Sequence, residues 1–432
     1  MSSMVPEAPT PPVLTGTSTV QRADWLPVLV GMTVSLLPFL SPPGTGNTAP
    51  MDVGIAATIV LAALWVTRDR LPVTLPYVVG VAGLVVGGAL AAAVADAPVS
   101  SALVLLQDVV LLLWAAALAL GRHNAAIIAA ATRAWGITAP VYAGVMVAAY
   151  LFGLNALTGV SAQNGVRAPY TFGDPNLAGN YLVISLFVMA ACQRPRCRGV
   201  RILGYGAVLL AIAFTGSNGA LVTLAVGVVL AFALERYRQS GPVAAALVLG
   251  IVATTAIALL GVVAPRVDVD GLRQQAAASI PLLRDSVARS GDSSSERATI
   301  VHEGFDAWLV GDATGYGPGR TLATLSAGQA PYAKEAHNDY LATLLERGVI
   351  GSLGLLALLA AIGVRCVRLA FGFLPGPYAE IVPRWWLLAV IGPVMAIAGN
   401  FYEVLHFRHL WTWLGIVAAL ALVSRRSARE LP

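Results

Sequence analysis

The chain has 432 residues, of which 57% are hydrophobic and only 11% are charged, and its net charge is +5. Soluble domains carry about a quarter charged residues, so this composition excludes an ordinary soluble protein and indicates an integral membrane protein. The basic residues stand in small groups between apolar segments and form no continuous patch, so we do not expect a nucleic acid partner.

Apolar segments recur along most of the chain. A helix that crosses a bilayer needs roughly 20 apolar residues, and on this basis we expect an all-α polytopic membrane protein with about twelve transmembrane helices. The segment 124–153 is interrupted at Arg133, Gly136 and Pro140, which favours a short amphipathic turn followed by the fifth span. The other predicted spans are 25–41, 52–67, 74–95, 101–121, 177–193, 200–215, 219–235, 243–263, 345–365, 385–401 and 409–424.

These segments divide the chain into five parts. Residues 1–22 are rich in Pro, Ser and Thr and are predicted to form a disordered cytosolic tail. Residues 23–264 hold spans one to nine, and 265–338 form a large polar loop with short helices. Residues 339–424 hold the last three spans, and 425–432 form a basic cytosolic tail.

The arginines between the spans predict the topology. Cytoplasmic loops carry the excess of Lys and Arg, and here every basic cluster follows an even-numbered span. We therefore expect a multi-pass protein of the cytoplasmic (inner) membrane with both termini cytoplasmic and the loops 161–176, 216–218, 265–338 and 402–408 extracytoplasmic. Three cysteines lie near the cytosolic face and are expected to be reduced: Cys192, Cys197 and Cys366. The basic clusters are Arg68 and Arg70; Arg122; Arg194, Arg196, Arg198 and Arg201; Arg236 and Arg238; and Arg365, Arg368 and Arg384.

The large loop has a pattern of its own. A helix is predicted to start near Ser295, with one apolar face that lies in the membrane interface and Trp308 at headgroup depth. The face comprises Val301, Phe305, Trp308 and Leu309. A tight turn is predicted at Gly315-Tyr-Gly-Pro-Gly319, because glycine adopts backbone conformations that are closed to other residues.

His337 is the strongest catalytic candidate, at the junction of this loop with span ten. An imidazole with its ordinary pKa of about 6.5 accepts a proton at neutral pH. A helix-capping histidine is the alternative. Glu346 lies about half a turn round the helix from His337, so the two form no acid–base pair on one face. Glu346 has two possible roles: it contacts a neighbouring helix or loop, or it binds the substrate.

Several cations are predicted to lie on the outer side. Arginine binds phosphate oxygens in a bidentate manner, so together with His337 these residues indicate a lipid diphosphate ligand. Pairing with a carboxylate such as Asp174, Glu296 or Glu403 is the alternative for each of them. His406 and His409 flank Arg408 and are interpreted as ordinary interfacial residues. We find no Walker loop or His-Glu-x-x-His motif, and we expect no metal or other cofactor. The cations are Arg167, Arg297, Arg320, Lys334, Arg347 and Arg408.

Four stretches, taken in order, resemble the O-antigen ligase and O-antigen polymerase superfamily. The resemblance covers about residues 160–424, and the ordered set is more specific than any one motif. The stretches are Gly173-Asp-Pro-Asn-Leu-Ala178; Thr215-Gly-Ser-Asn-Gly-Ala220; Ser293 to Arg297 followed by Gly315 to Gly319; and Ala336-His-Asn-Asp-Tyr-Leu341 with Glu346-Arg-Gly-Val-Ile-Gly351.

This resemblance implies a fold similar to GT-C-type membrane glycosyltransferases and a metal-independent enzyme. The enzyme would transfer a glycan from a polyprenyl diphosphate carrier to a hydroxyl of a glycan or glycolipid acceptor in cell-envelope polysaccharide biosynthesis. His337 matches the family's catalytic histidine, and Arg297 matches an arginine that binds the diphosphate. The other predicted substrate-binding residues are Arg167, Arg320, Arg408, Asn176, Asn338 and Glu346.

The sequence departs from the family at Asn218, where the family often has an arginine. Either Arg167, Arg320 or Arg408 supplies that charge, or the substrate differs. The departure counts against close identity with a lipopolysaccharide ligase. From the whole set of motifs, a glycosyltransferase of the ligase type is our first hypothesis and a polysaccharide polymerase the second. A transporter or flippase is the third, although transporters carry ionisable groups at mid-membrane depth and broken paired helices. The gathering of polar residues at one surface favours an enzyme.

Overall fold

The structure is a computed structural model that describes residues 25–40, 49–95, 98–161, 166–259, 299–311, 313–326 and 338–429. Regular structure in these ranges is helical, without a strand, which confirms the predicted all-α class. Two single-turn 3-10 helices, Leu120–Arg122 and Tyr170–Phe172, accompany the α-helices.

Twelve of the helices coincide, in order, with the twelve predicted spans. They are α1 (Trp25–Ser35), α2 (Pro50–Asp69), α3 (Val78–Val94), α4 (Pro98–Ala119), α5 (Ala125–Leu151), α7 (Pro175–Cys192), α8 (Arg198–Thr215), α9 (Asn218–Ser240), α10 (Pro242–Ala258), α13 (Asp339–Phe371), α15 (Trp386–Ala398) and α16 (Arg408–Arg429). Four short helices lie between them: α6 (Asn155–Thr158), α11 (299–310), α12 (Thr321–Ser326) and α14 (Gly376–Ile381).

Among the helices that the structure describes, seven are long and apolar enough to cross a membrane: α2, α4, α5, α7, α8, α9 and α13. The shorter apolar helices are Trp25–Ser35, Val78–Val94, Pro242–Ala258, Trp386–Ala398 and Arg408–Ser424. The protein therefore carries several membrane-spanning helices, and the total of twelve spans stays a prediction, as does the GT-C-type fold.

The expected break in the fifth span is wrong. Helix α5 runs without interruption from Ala125 to Leu151, with Pro140 inside it. Helix α8 packs closely against Pro140 at Gly204, since a Cβ at that position would lie only 2.9 Å from the Pro140 Cβ. This packing lets the helix tolerate the proline. One turn earlier, the buried Trp135 donates a hydrogen bond from Nε1 to the Ser185 Oγ at 2.8 Å. Packing against neighbouring helices thus offsets the lost backbone hydrogen bond.

Helices α3 and α13 pack with their backbones in contact. A Cβ on Gly83 would lie 2.6 Å from the Gly354 Cα, and a Cβ on Gly87 would lie 2.4 Å from the Gly351 backbone nitrogen. Small residues permit such an approach, and in lipid the close packing is what holds helices together. Helix α13, which follows His337 in the sequence, is therefore fixed against the bundle.

A buried ion pair joins α13 to α4. The Arg347 guanidinium donates from Nη1 to Asp108 Oδ2, and the two side chains are only 9% and 8% exposed. We had expected Arg347 among the outward cations, with loop carboxylates as the alternative partners. The structure instead buries it between helices, where a carboxylate from a span neutralises it. Ionisable groups inside a membrane bundle pair in this way because an isolated charge there is costly.

Removing one partner of this pair is expected to destabilise the protein strongly. Asp108→Ala leaves the Arg347 charge buried without its carboxylate, which costs roughly 3–5 kcal/mol. Unfolding of the purified protein in detergent measures the loss. The double variant Asp108→Leu, Arg347→Met removes both charges and should recover most of the stability. A double variant as unstable as Asp108→Ala would show that the pair is not the cause.

The links that carry the arginine clusters meet at one end of the bundle, which we call the arginine end. The Tyr378 hydroxyl donates to the Gly121 carbonyl at 2.9 Å, and Arg238 Nη1 donates to the Ala370 carbonyl at 2.9 Å. Further hydrogen bonds join Arg122 to Pro72 and Arg384 to Ala191. The links after α2, α4, α7, α9 and α13 therefore lie together, as the predicted topology requires.

Candidate functional site

Loops that are distant in sequence meet at the opposite end, which we call the motif end. It comprises residues 166–174, 215–218, 338–339 and 399–407. Arg167 Nε donates to the Thr215 carbonyl at 3.0 Å, which joins the first loop to the second. The Ser217 and Tyr402 hydroxyls are 2.6 Å apart, which joins the second to the last.

Asp339 ties the start of α13 to the same loop. Its buried carboxylate accepts from the Val404 amide at 2.9 Å and from the Leu405 amide at 3.4 Å. Its own amide donates to the Gly399 carbonyl at 2.8 Å. Together these three hydrogen bonds tie the start of α13 to the loop, because each would leave a buried polar group unpaired if it were lost. The residue directly after the His337-Asn338 pair is therefore held in place.

The Gly173-Asp-Pro-Asn stretch forms the N-terminus of α7. The Asp174 carboxylate caps the helix by accepting from the amides of Asn176 and Leu177, and Pro175 occupies the first turn. The Asn176 Oδ1 accepts from Arg167 Nη2 at 2.9 Å. Two predicted substrate-binding residues, Arg167 and Asn176, are thus in direct contact.

The Thr215-Gly-Ser-Asn-Gly-Ala stretch is the turn between α8 and α9. Ser217 caps α9 by accepting from the Ala220 amide at 3.3 Å. Position 219 admits no side chain, because a Cβ on Gly219 would lie 1.9 Å from the Tyr402 hydroxyl oxygen. Asn218, where the resemblance leads us to expect arginine, is exposed at the first position of α9.

Asn338 is the N-cap of α13. Its Oδ1 accepts from the amides of Tyr340 and Leu341 at 2.9 and 3.1 Å. Residues His337 and Arg297, predicted as the catalytic base and as a diphosphate ligand, lie outside the described residues. The cap nevertheless gives Asn338 a defined role, since it sets where the helix begins after His337.

Glu346 holds a neighbouring helix. Its Oε1 accepts from the Thr321 hydroxyl at 2.7 Å and from the Thr321 amide at 3.2 Å, at the first residue of α12. This agrees with the structural interpretation of Glu346. Arg320 directly precedes Thr321, and its amide donates to the Gly317 carbonyl at 3.2 Å. Arg320 therefore lies beside the contact between α12 and Glu346.

The glycine turn docks into a break in α13. Gly315, Gly317 and Gly319 all have positive φ, which confirms the predicted turn. The Tyr316 amide donates to the Leu345 carbonyl at 2.7 Å, and the Gly317 amide donates to the Glu346 carbonyl at 3.1 Å. Gly348 has φ 59° and ψ −159°, so the helix opens there and its backbone binds the turn. The glycines of the 315–319 turn and Gly348 of α13 thus form a single contact between the loop and the helix.

Gly348→Ala is expected to disrupt this junction. A Cβ would lie 2.1 Å from the Ala313 carbonyl oxygen, and the backbone conformation is one that only glycine adopts readily. We expect a loss of roughly 3 kcal/mol or more, measured as folded yield and unfolding midpoint in detergent. Gly363→Ala in the same helix is the matched control, because a Cβ there meets nothing within 4 Å. Equal behaviour of the two variants would contradict the assignment.

Helix α11 packs on the first turns of α13. A Cβ on Gly304 would lie 2.9 Å from a Leu341 methyl carbon, and Trp308 packs against the small cluster around Leu341 and Leu345. The Phe305 and Trp308 rings are 5.6 Å apart, so these two residues share a face as predicted, and Trp308 packs towards α13 whereas Val301 and Phe305 are exposed. The headgroup depth of Trp308 stays a prediction. Glycine at position 304 allows the close contact that turns the helix this way.

Arg408 is held by a carboxylate. Its Nε and Nη2 donate to the two oxygens of Asp52 at 2.6 and 2.7 Å, and its side chain is only 10% exposed. The sequence suggests only loop carboxylates, such as Glu403, as its alternative partners. The Asp52 partner comes from the first turn of α2 and is far from Arg408 in the sequence. The positive charge of Arg408 is thus neutralised within the protein.

Two histidines flank Arg408, and they differ. His409 is 1% exposed, and its Nε2 lies 2.8 Å from the Asn180 Oδ1, so it belongs to the core. His406 is half-buried and lines a cavity with a volume of about 110 Å³. Burial, together with the charges of Arg408 and Arg347, lowers the pKa of His406 to about 4. Its imidazole is therefore uncharged at neutral pH.

A search of the described residues for three or more clustered His, Cys, Asp or Glu side chains finds no group that could hold a metal ion. The polar groups at the motif end are instead arranged as helix caps, interloop hydrogen bonds and arginine contacts. Such an arrangement can position an anionic substrate group by hydrogen bonding and charge.

Residues 203–356 match the O-antigen ligase family. The matched region extends from α8 into α13 and contains the Thr215–Ala220 turn and the Ala336–Gly351 motif. The match supports the resemblance to the O-antigen ligase superfamily that the motifs indicated. A search of curated proteins finds no match to the chain.

Proposed function

We propose that this chain, a multi-pass membrane protein with an O-antigen ligase domain at residues 203–356, transfers a glycan from a polyprenyl diphosphate carrier to an acceptor hydroxyl. The observation that carries the proposal is the convergence of the motif loops at one end of the bundle. Arg167 binds the Thr215 carbonyl, and Asp339 binds the loop that contains Val404. The hydrogen bond between the Ser217 and Tyr402 hydroxyls, 185 residues apart in the sequence, joins these two pairs of stretches around one region.

His337 is the proposed general base. It accepts the proton of the acceptor hydroxyl as the oxygen attacks the anomeric carbon of the donor sugar. The bond from that carbon to the diphosphate oxygen breaks, and the lipid diphosphate leaves with the electron pair. The Asn338 cap and the Asp339 tether support this role, because they fix the chain immediately after His337.

Arg167 is the proposed replacement for the arginine that Asn218 lacks. Arg347 and Arg408 are bound to carboxylates, whereas the Thr215 carbonyl and the Asn176 amide that bind Arg167 are uncharged. Both of these contacts are made to neutral oxygen atoms. They also place the guanidinium against the turn that carries Asn218. A diphosphate leaving group needs such a cation, and Arg297 is the second candidate by resemblance.

The proposed location is the cytoplasmic membrane, with the motif end on the outer face. The arginine end collects the basic links, and such links face the cytoplasm. The substrates are then a lipid-linked glycan donor and a glycan or glycolipid acceptor. The arginines supply the electrostatic stabilisation, so we propose a reaction that uses neither a metal nor a nucleotide sugar.

A deletion strain complemented with wild type or His337→Ala tests this function. We expect only the wild-type protein to restore the surface glycan. Accumulation of lipid-linked polymer in the His337→Ala strain indicates a ligase, whereas accumulation of single lipid-linked repeat units indicates a polymerase. Glycan profiles that are the same in both strains would remove the catalytic assignment of His337.

A further inference from the structure

The cavity beside His406 adjoins the proposed reaction site. Leu177, which follows Asn176 in the first turn of α7, forms part of its wall. On the other side, Leu405 directly precedes His406 and binds Asp339 at the start of α13. The cavity therefore borders the first turn of α7, which carries Asn176, and the loop that binds Asp339. Its walls include Leu40, Phe172, Leu177, His406, Phe407 and Arg408.

The charges around this cavity nearly cancel. The Arg408 guanidinium is neutralised by a bidentate contact with Asp52. Burial and the nearby charges of Arg408 and Arg347 lower the pKa of His406 to about 4, and Arg347 is itself paired with Asp108. The remaining histidine of the wall, His409, is bound to Asn180. Such a cavity is a poor site for a diphosphate, which needs cations whose charge is not compensated.

The chemistry of the walls fits an uncharged group with hydroxyls. Phe172 and Phe407 offer apolar aromatic surface, and aromatic rings suit the C–H face of a sugar ring. His406 offers a nitrogen that accepts and another that donates, because its imidazole is neutral. Binding sites for small polar molecules combine apolar walls with a few placed polar groups in this manner.

We propose that this cavity binds a sugar residue of the acceptor, with His406 hydrogen-bonded to one of its hydroxyls. The proposal rests on the proposed glycan transfer and adds the place where the acceptor docks. In this arrangement Arg167 binds the diphosphate of the donor, and the cavity beside His406 binds the acceptor sugar.

Chemical protection of His406 tests this assignment. The full-length protein in nanodiscs is treated with diethyl pyrocarbonate, and carbethoxylation of each histidine is followed by peptide mass spectrometry. The probes are methyl glycosides of the common hexoses and N-acetylhexosamines, with inorganic pyrophosphate as the competing anion. At about ten times its Kd, a bound glycoside should slow modification of His406 roughly tenfold, and pyrophosphate should not.

Two controls separate this proposal from the proposed function. His302, with a side chain 80% exposed, should react at the same rate with every probe. The His337→Ala protein should show the same protection of His406, because binding does not require transfer. Protection by pyrophosphate but by no glycoside would overturn the proposal. The proposal would also be overturned if no probe slowed the modification of His406. It would be overturned as well if His406 did not react with the reagent at all, because a cavity that excludes diethyl pyrocarbonate also excludes a sugar.

Discussion

Alanine at Arg167 is expected to lower the rate of glycan transfer by roughly 100- to 1,000-fold. The guanidinium stabilises the negative charge that develops on the leaving diphosphate, and a preorganised donor of this kind acts mainly in the transition state. Its position is preorganised by the Thr215 carbonyl and the Asn176 amide, which bind Nε and Nη2. The measurement is the initial rate with purified protein in liposomes and donor lipid from the deletion strain.

Three variants separate charge from structure in this experiment. Arg167→Lys keeps the charge but loses the planar fork, so an intermediate rate is expected. Asn176→Ala removes one hydrogen bond but leaves the cation, so a much smaller loss is expected. Arg68→Ala is the matched control, because its side chain is 79% exposed at the arginine end. An Arg167→Ala protein that folds and transfers at the wild-type rate would exclude Arg167 from the site.

The positions of the helices were predictable because a membrane imposes a simple rule on the sequence. Each span must be apolar and helical, since lipid offers no partner for backbone groups. The expected spans therefore coincide with helices from α1 to α16, and the arginine clusters meet at one end. Pro140 misled the prediction, because the packing of α5 on Gly204 of α8 depends on tertiary contacts that a single segment does not reveal.

The partners of the arginines were not predictable. Arg408 binds Asp52, 356 residues away in the sequence, and Arg347 binds Asp108, 239 residues away. Polar residues on adjacent loops suggested nearer partners, whereas the carboxylates in fact come from the helices α2 and α4. The fold, which brings distant helices together, thus determines which carboxylates neutralise Arg347 and Arg408.

The resemblance singled out the motif stretches, but the hydrogen bonds that their residues make depend on the fold. Asn338 caps α13, and Glu346 binds the start of α12. Tyr402 belonged to no motif, although its hydroxyl binds Ser217 and fills the space beside Gly219. In the sequence, Gly219 was the only sign that another group lies close to this turn, since glycine often marks a close approach.

His406 shows the limit of sequence analysis most clearly. Beside Arg408 and His409 it is typical of an interfacial histidine, and nothing in its neighbourhood predicts a cavity. The two histidines differ in their surroundings, because His409 is bound to Asn180 whereas His406 is half-buried at the cavity that Phe172 and Phe407 also line.

The rate of transfer by purified His337→Ala protein tests the central claim most directly. A general base at the acceptor hydroxyl contributes roughly 100- to 10,000-fold, so a loss of that size is expected at unchanged folded yield. The control is His302→Ala, which removes an exposed histidine from α11. A loss confined to His337→Ala is the predicted result. A His337→Ala rate equal to that of the wild type would contradict the claim that an imidazole at the motif end activates the acceptor.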